Sequence, residues 1–278
     1  MQKQIRSFDG TKINYEIEHI SENYIVFLHG LGGNLTAWKK QRELMHKNKI
    51  STIAVDMRGH GLSERPNSER YYSFENFARD IYFILQKENI KNFVLVGHCV
   101  GGAVTVNFHK LYPELAKAYI LVASTYKYNS FARLTSQLIR FEPWILKMLS
   151  YPFFEEYNGR IEQMDYKDFV GTSDWSMHRI STDIRYTGFK SYVYTLRSFV
   201  KFDEIESLKK MNRPVLIISG SKDTFFDVNV AKRMNKLIKN STLNIVPNGN
   251  HIVVLNNPNT VGKNILEFAK SLPDFLQK

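Results

Sequence analysis

The stretch FVLVGHCVGGAVTVNFHKLYP, residues 93–113, constrains the fold more than any other part of the chain. Its apolar run Phe93–Val96 reads as a buried strand, and the residues from Gly101 to Leu111 read as a helix ended by Pro113. Between them the backbone must bend sharply. Gly97 and Gly101 remove the side chains that would crowd that bend, which leaves Cys99 exposed at its apex. A helix starting here points its N-terminus at residue 99, favouring negative charge on the sulfur and turning the Val100 N–H towards any oxyanion formed beside it. Buried structural cysteines are common, so the thiol by itself decides little. It is, however, the one cysteine among 278 residues, which rules out an intrachain disulfide.

Further apolar runs bounded by turn residues recur at Tyr24–Leu28, Ser51–Val55, Tyr119–Val122, Val215–Ser219 and Leu243–Val246. Most are followed by helical patterns. In SFENFARDIYFILQKEN, for example, Phe74, Phe77, Ala78, Ile81, Ile84 and Leu85 line one face behind Ser73 as the expected N-cap. Strand and helix in alternation predict an α/β fold whose mostly parallel sheet is covered by helices on both faces. The opening IRSFDGTKINYEIE instead reads as an antiparallel hairpin turning at Asp9 and Gly10. The alternation lapses between Tyr126 and Val200, where aromatic residues are frequent: Phe131, Phe141, Trp144, Tyr151, Phe153, Phe154, Tyr157, Trp175, Tyr192, Tyr194 and Phe199. We therefore expect a core built from residues 1–125 and 201–278, with 126–200 inserted as a helical cap.

A hydrophobic content of 43% and a charged content of 23% are ordinary for a soluble globular chain, and no stretch approaches the ~20 apolar residues of a membrane span. The N-terminus lacks the apolar core of a signal peptide, giving an expectation of a cytoplasmic protein. The net charge of +11 comes from scattered lysines and arginines without a dense basic run, so a solvated surface is expected and no nucleic-acid partner.

Three other stretches fall where the turn at Cys99 needs them. VFLHGLGGN, residues 26–34, follows a predicted strand with a glycine-rich loop, and Leu31 is placed to offer a second backbone N–H to the same oxyanion. It has neither the Walker pattern nor the GxGxxG spacing of a phosphate loop. VLIISGSKDTFF puts Asp223 just past a buried strand, and IVPNGNHIVVLNNP puts His251 in the loop after the next one. Loops at the carboxyl ends of parallel strands share one sheet edge, so Cys99, Asp223 and His251 can converge there. Asp227 is a second nearby carboxylate. His98 flanks the thiol and reads equally well as a packing residue. His29 reads as a loop-orienting residue, and Asp56, Arg58 and His60 of DMRGHGLS read as organisers of a loop beside the site.

Along essentially its whole length the chain resembles the α/β-hydrolase fold superfamily: HGLGGN, DMRGHGLS, GHCVGG, SGSKD and GNH occur in that family's order. The resemblance implies Cys99 as nucleophile, His251 as general base, Asp223 as the group orienting the histidine, and Leu31 and Val100 as oxyanion-hole donors. It implies hydrolysis of a small-molecule carboxylic ester or thioester with an apolar acyl or aromatic group, through a covalent acyl-enzyme, with no metal or organic cofactor. Acyl transfer, carbon–carbon bond hydrolysis and ligand binding without turnover occur on the same fold and remain alternatives. Most members resembling this chain carry serine at position 99. The cysteine is either a natural nucleophile, as in dienelactone hydrolases and polyhydroxyalkanoate synthases, or a serine replacement. Dienelactone hydrolases lack an aromatic cap of this length, and polyhydroxyalkanoate synthases are usually longer. Epoxide hydrolases and haloalkane dehalogenases, with aspartate at this position, do not match.

Overall fold

A computed structural model describes residues 1–128, 163–273 and 275. Each expected apolar run is a strand, extended by up to two residues: β1 (Gln2–Arg6), β2 (Lys12–Glu18), β3 (Tyr24–Leu28), β4 (Ser51–Asp56), β5 (Phe93–His98), β6 (Ala118–Val122), β7 (Val215–Gly220) and β8 (Ser241–Val246). They form one sheet in the order β1-β2-β4-β3-β5-β6-β7-β8. The pairs β1–β2 and β2–β4 are antiparallel and all others parallel. The hairpin between β1 and β2 is looser than a tight Asp–Gly turn. Its loop runs from Ser7 to Thr11, closed by Ser7 N–H donating to Thr11 O at 2.8 Å and Gly10 N–H to Ser7 O at 3.0 Å.

Among the described residues the α-helices are α1 (Lys39–Lys47), α2 (Phe74–Lys87), α3 (Val100–Leu111), α4 (Met177–Thr187), α5 (Phe189–Val200), α6 (Ile205–Lys209), α7 (Val228–Leu237), α8 (Val253–Asn256) and α9 (Pro258–Ser271). Side chains alternate across the central strands with period two, and both faces are apolar because both are covered. On β3, Tyr24, Val26 and Leu28 pack into the layer of α2, α3 and α7, while Ile25 and Phe27 pack into the layer of α1 and α9. Ser73 caps α2 by accepting from Asn76 N–H at 3.3 Å. The apolar face of α2 also buries Asp80, which the helical periodicity alone does not explain.

β6 and β7 are neighbours in the sheet, and everything from residue 123 to 214 is threaded between them. Part of the aromatic-rich stretch, residues 129–162 with Phe131, Phe141, Trp144, Tyr151, Phe153, Phe154 and Tyr157, lies outside the described residues. The described remainder includes α4 and α5, joined at Gly188, whose φ is +81°. Because β3, β5, β7 and β8 run parallel, the loops that follow them open on one edge of the sheet.

Candidate active site

β5 delivers the chain into the bend at that edge. Cys99 adopts φ 52° and ψ −113°, a left-handed conformation that costs a non-glycine residue about 1–3 kcal/mol and persists only where surrounding structure enforces it. The enforcement is visible in its neighbours. A Cβ on Gly97 would lie 2.2 Å from Gly101 O, and one on Gly101 would lie 2.5 Å from Leu28 O, so strand, turn and helix can approach this closely only through glycine. Cys99 N–H donates to Val122 O at 3.0 Å, and Cys99 O accepts from Gly102 N–H at 3.0 Å and from the Ser124 hydroxyl at 3.2 Å. The thiol is left half-buried above the first turn of α3.

His251, in the loop after β8, turns its Nδ1 to Asp223 Oδ2 at 2.9 Å. Both residues are buried. The other oxygen of Asp223 is held by its own loop, accepting from Phe225 N–H at 2.9 Å and Phe226 N–H at 2.8 Å. With Nδ1–H committed to the carboxylate, the ring is fixed in one tautomer, with Nε2 on the side away from Asp223. Burial opposes a charged ring here, but the charges of Cys99 and Asp223 and the hydrogen bond to Asp223 outweigh it, pushing the His251 pKa up to about 10. The rings of Phe225 and Phe226 stand edge-on to the imidazole, with centroids 4.8 and 5.1 Å away. Trp175, largely exposed, packs on Phe225 at 4.5 Å.

The glycine-rich loop after β3 comes up beside the thiol: a Cβ on Gly30 would sit 3.3 Å from Cys99 Cβ. Gly33 N–H donates to Gly30 O at 3.1 Å and closes the turn that carries Leu31. Among the described residues, neither the Leu31 nor the Val100 amide has a hydrogen-bond partner. Val100 opens α3 and has no helical carbonyl one turn earlier to bond.

The remaining sequence candidates hold the loops around this convergence or lie beyond it. Asp227 caps α7, accepting from Asn229 N–H at 2.6 Å. His29 is fully buried, donates from Nδ1 to Gly30 O at 2.7 Å and accepts Met57 N–H at Nε2 at 3.0 Å; burial holds its pKa well below the usual histidine range. Asp56 accepts from Leu35 N–H, Leu62 N–H and the Asn14 side chain at 2.8, 2.9 and 2.8 Å. Arg58 pairs with Asp80 through Nη2 at 2.6 Å and Nε at 2.7 Å, and with Asp9 at 2.9 Å. His60 donates from Nδ1 to Arg58 O at 3.0 Å. His98 donates from Nε2 to the backbone carbonyl of His251 at 3.0 Å. Among the described residues no cluster of His, Cys, Asp or Glu could hold a metal ion, and no helix is long and apolar enough to cross a membrane.

Residues 23–258 match the family described as the alpha/beta hydrolase fold. The chain belongs to the α/β-hydrolase fold family. Among its relatives, the uncharacterized hydrolase YugF of Bacillus subtilis (strain 168) is 27% identical over 279 residues, covering 96% of this chain and 98% of that one. The esterase EaEST from Exiguobacterium antarcticum superposes with a TM-score of 0.76 at 20% identity, covering 98% of this chain and 100% of the other. The enol-lactonase from Burkholderia xenovorans LB400 superposes with a TM-score of 0.75 at 17% identity, covering 97% and 100%. Within this α/β-hydrolase, sequence reasoning passed over one buried group at the site. Asp174, from the segment between β6 and β7, bonds the backbone of His251, and an acid in an aromatic-rich stretch carries no spacing signal to mark it.

Proposed function

We propose that this α/β-hydrolase cleaves carboxylic esters or thioesters of apolar acyl or aromatic substrates through an acyl-enzyme on Cys99. The observation that carries the reading is the placement of His251, with Nδ1 2.9 Å from Asp223 Oδ2, at the sheet edge where Cys99 occupies the strained turn. The Cys99 thiolate, paired with protonated His251, attacks the carbonyl carbon, and the carbonyl electron pair moves onto oxygen. The N–H groups of Leu31 and Val100, without a partner among the described residues, face that oxyanion. As it collapses, the bond to the leaving oxygen or sulfur breaks and His251 supplies its proton to the leaving group. Neutral His251 then takes a proton from water, whose oxygen attacks the thioester. The C–S bond breaks, the acid leaves, and the thiolate–imidazolium pair is restored. Asp223 holds the imidazole in one tautomer throughout.

Trp175, from the segment between β6 and β7, packs on Phe225, whose ring stands edge-on to His251, and this aromatic wall supports an apolar acyl or aromatic group on that side of the site. Small esterases and lactonases of the same architecture support the substrate class. The test is hydrolysis of p-nitrophenyl esters of increasing acyl length by the protein and by Cys99→Ser and Cys99→Ala. Turnover that alanine abolishes establishes the thiol as nucleophile. Turnover by the serine form alone identifies Cys99 as a replacement in a serine hydrolase, and turnover that survives in Cys99→Ala sinks the acyl-enzyme assignment.

A further inference from the structure

We propose that Asp174 is a positioning residue that fixes the acid loop and the base loop against each other; this rests on the roles of Cys99, Asp223 and His251 proposed above. Asp174 lies just before α4 and is 3% exposed. Its Oδ1 accepts from the backbone N–H of His251 at 2.8 Å. Its Oδ2 accepts from the backbone N–H of Thr224 at 2.9 Å and from the Thr224 hydroxyl at 2.8 Å. One carboxylate therefore grips the base itself and the residue next to Asp223. These are the two loops whose side chains meet 2.9 Å apart at the imidazole.

A buried carboxylate is costly unless its oxygens are fully hydrogen-bonded, so these three donors define where the group can sit and, in return, where the two loops can sit. Arg179 secures Asp174 without neutralising its side chain: Nη2 donates to the Asp174 carbonyl at 2.7 Å and Nη1 to Asp183 Oδ2 at 2.9 Å. Asp183 Oδ1 and the hydroxyl of Tyr166 are 2.5 Å apart, and that hydroxyl lies 2.9 Å from Gly32 O. The Thr187 hydroxyl donates to the same carbonyl at 3.2 Å. The segment between β6 and β7 thus holds the base loop, the acid loop and the loop of Leu31 through one connected set of hydrogen bonds. Without Asp174 the His251 amide loses its acceptor, and displacing an imidazole from its sulfur by about 1 Å is enough to cost roughly a hundredfold in rate.

The test reads the thiol directly. Cys99 is the one cysteine in the chain, so alkylation by iodoacetamide reports a single site, and its rate follows the thiolate that His251 stabilises. Alkylation is measured against pH for the unaltered protein, Asp174→Asn, Thr224→Val and His251→Ala, with circular dichroism confirming the fold of each. We expect His251→Ala and Asp174→Asn each to slow alkylation at pH 7 by about tenfold and to move the profile to higher pH. Thr224→Val, at an exposed position and lacking only the hydroxyl contact, gives a smaller fall in the same direction and decides the matter if Asp174→Asn does not fold. An unshifted profile in folded Asp174→Asn or in Thr224→Val, beside a shifted one in His251→Ala, overturns the positioning role and leaves the proposed function standing. An unshifted profile in His251→Ala overturns the thiolate–imidazolium reading and this inference with it.

Discussion

His98 donates its Nε2 proton to the backbone carbonyl of His251 across 3.0 Å, so the residue preceding the thiol holds the loop of the base. The ring centroids are 5.2 Å apart. Burial, reinforced by the charge of His251, pushes the His98 pKa down to about 3, which keeps its imidazole neutral and its Nε2–H available across the working range. His98→Ala is expected to lower kcat on p-nitrophenyl esters by about tenfold, the equivalent of one lost hydrogen bond of about 1.4 kcal/mol. The same kinetics followed from pH 5 upwards in the unaltered protein should contain no ionisation belonging to His98. A kcat in His98→Ala equal to that of the parent would show that the contact is packing alone.

Asp223→Asn leaves the loop contacts from Phe225 and Phe226 to the side-chain carbonyl while presenting an amide to His251 Nδ1. The imidazole then has no acceptor to fix its tautomer. We expect kcat to fall by about 10²- to 10⁴-fold with a much smaller change in KM. Asp227→Asn, altering the cap of α7, should leave kcat within about twofold, since a neutral amide oxygen still caps a helix. Equal losses in both variants would move the acid role away from Asp223.

Stability should decline on both sides of neutrality. His251 has a folded pKa of about 10 against an ordinary 6.5, so its contribution is complete below pH 6.5 and is lost as pH rises towards 10. His60 and His98 are depressed to about 4 and about 3 by burial, and His29 lies well below its ordinary value for the same reason. The unfolded chain therefore takes up protons that the folded one refuses, and stability falls as pH drops from 6.5 towards 3. Urea melts from pH 4 to 10 check both limbs. Cys99→Ala, which removes one of the charges acting on His251, should flatten the alkaline limb and leave the acid limb unchanged.

Arg58 is wholly buried, and its guanidinium is shared between Asp80 and Asp9. Arg58→Met leaves Asp80 buried without its cation and is expected to cost about 3–5 kcal/mol in urea unfolding. Adding Asp80→Leu should recover part of that loss, because the stranded charge goes with it. An additive double variant would show that the pair is not energetically coupled.

The architecture was legible in the sequence where local pattern and global fold agree. Two-faced apolar strands such as Tyr24–Leu28 announce a covered parallel sheet, and Gly97 and Gly101 announce a turn too tight for side chains. Cys99, Asp223 and His251 were legible as a set because strand ends converge on one edge. Asp174 was not, since its partners are backbone amides 50 and 77 residues away, which leave no spacing in the sequence. The Arg58–Asp80 pair was hidden for a related reason: amphipathic periodicity marks Phe77 and Ile81 as inward-facing but says nothing about an acid between them that finds a buried cation. The length of the first hairpin loop escaped because Asp9 and Gly10 are equally at home in a tight turn and in the wider one observed.

The threading of residues 123–214 between two adjacent parallel strands makes this part of the chain an exchangeable cassette. Doubling the length of such an excursion adds only about 0.6 kcal/mol of closure entropy, so it can be lengthened or replaced while the sheet stays intact. Asp174 sets the condition on that freedom. A transplanted cassette must carry its own acceptor for the amide of His251, and grafts lacking one should fold well and turn over poorly.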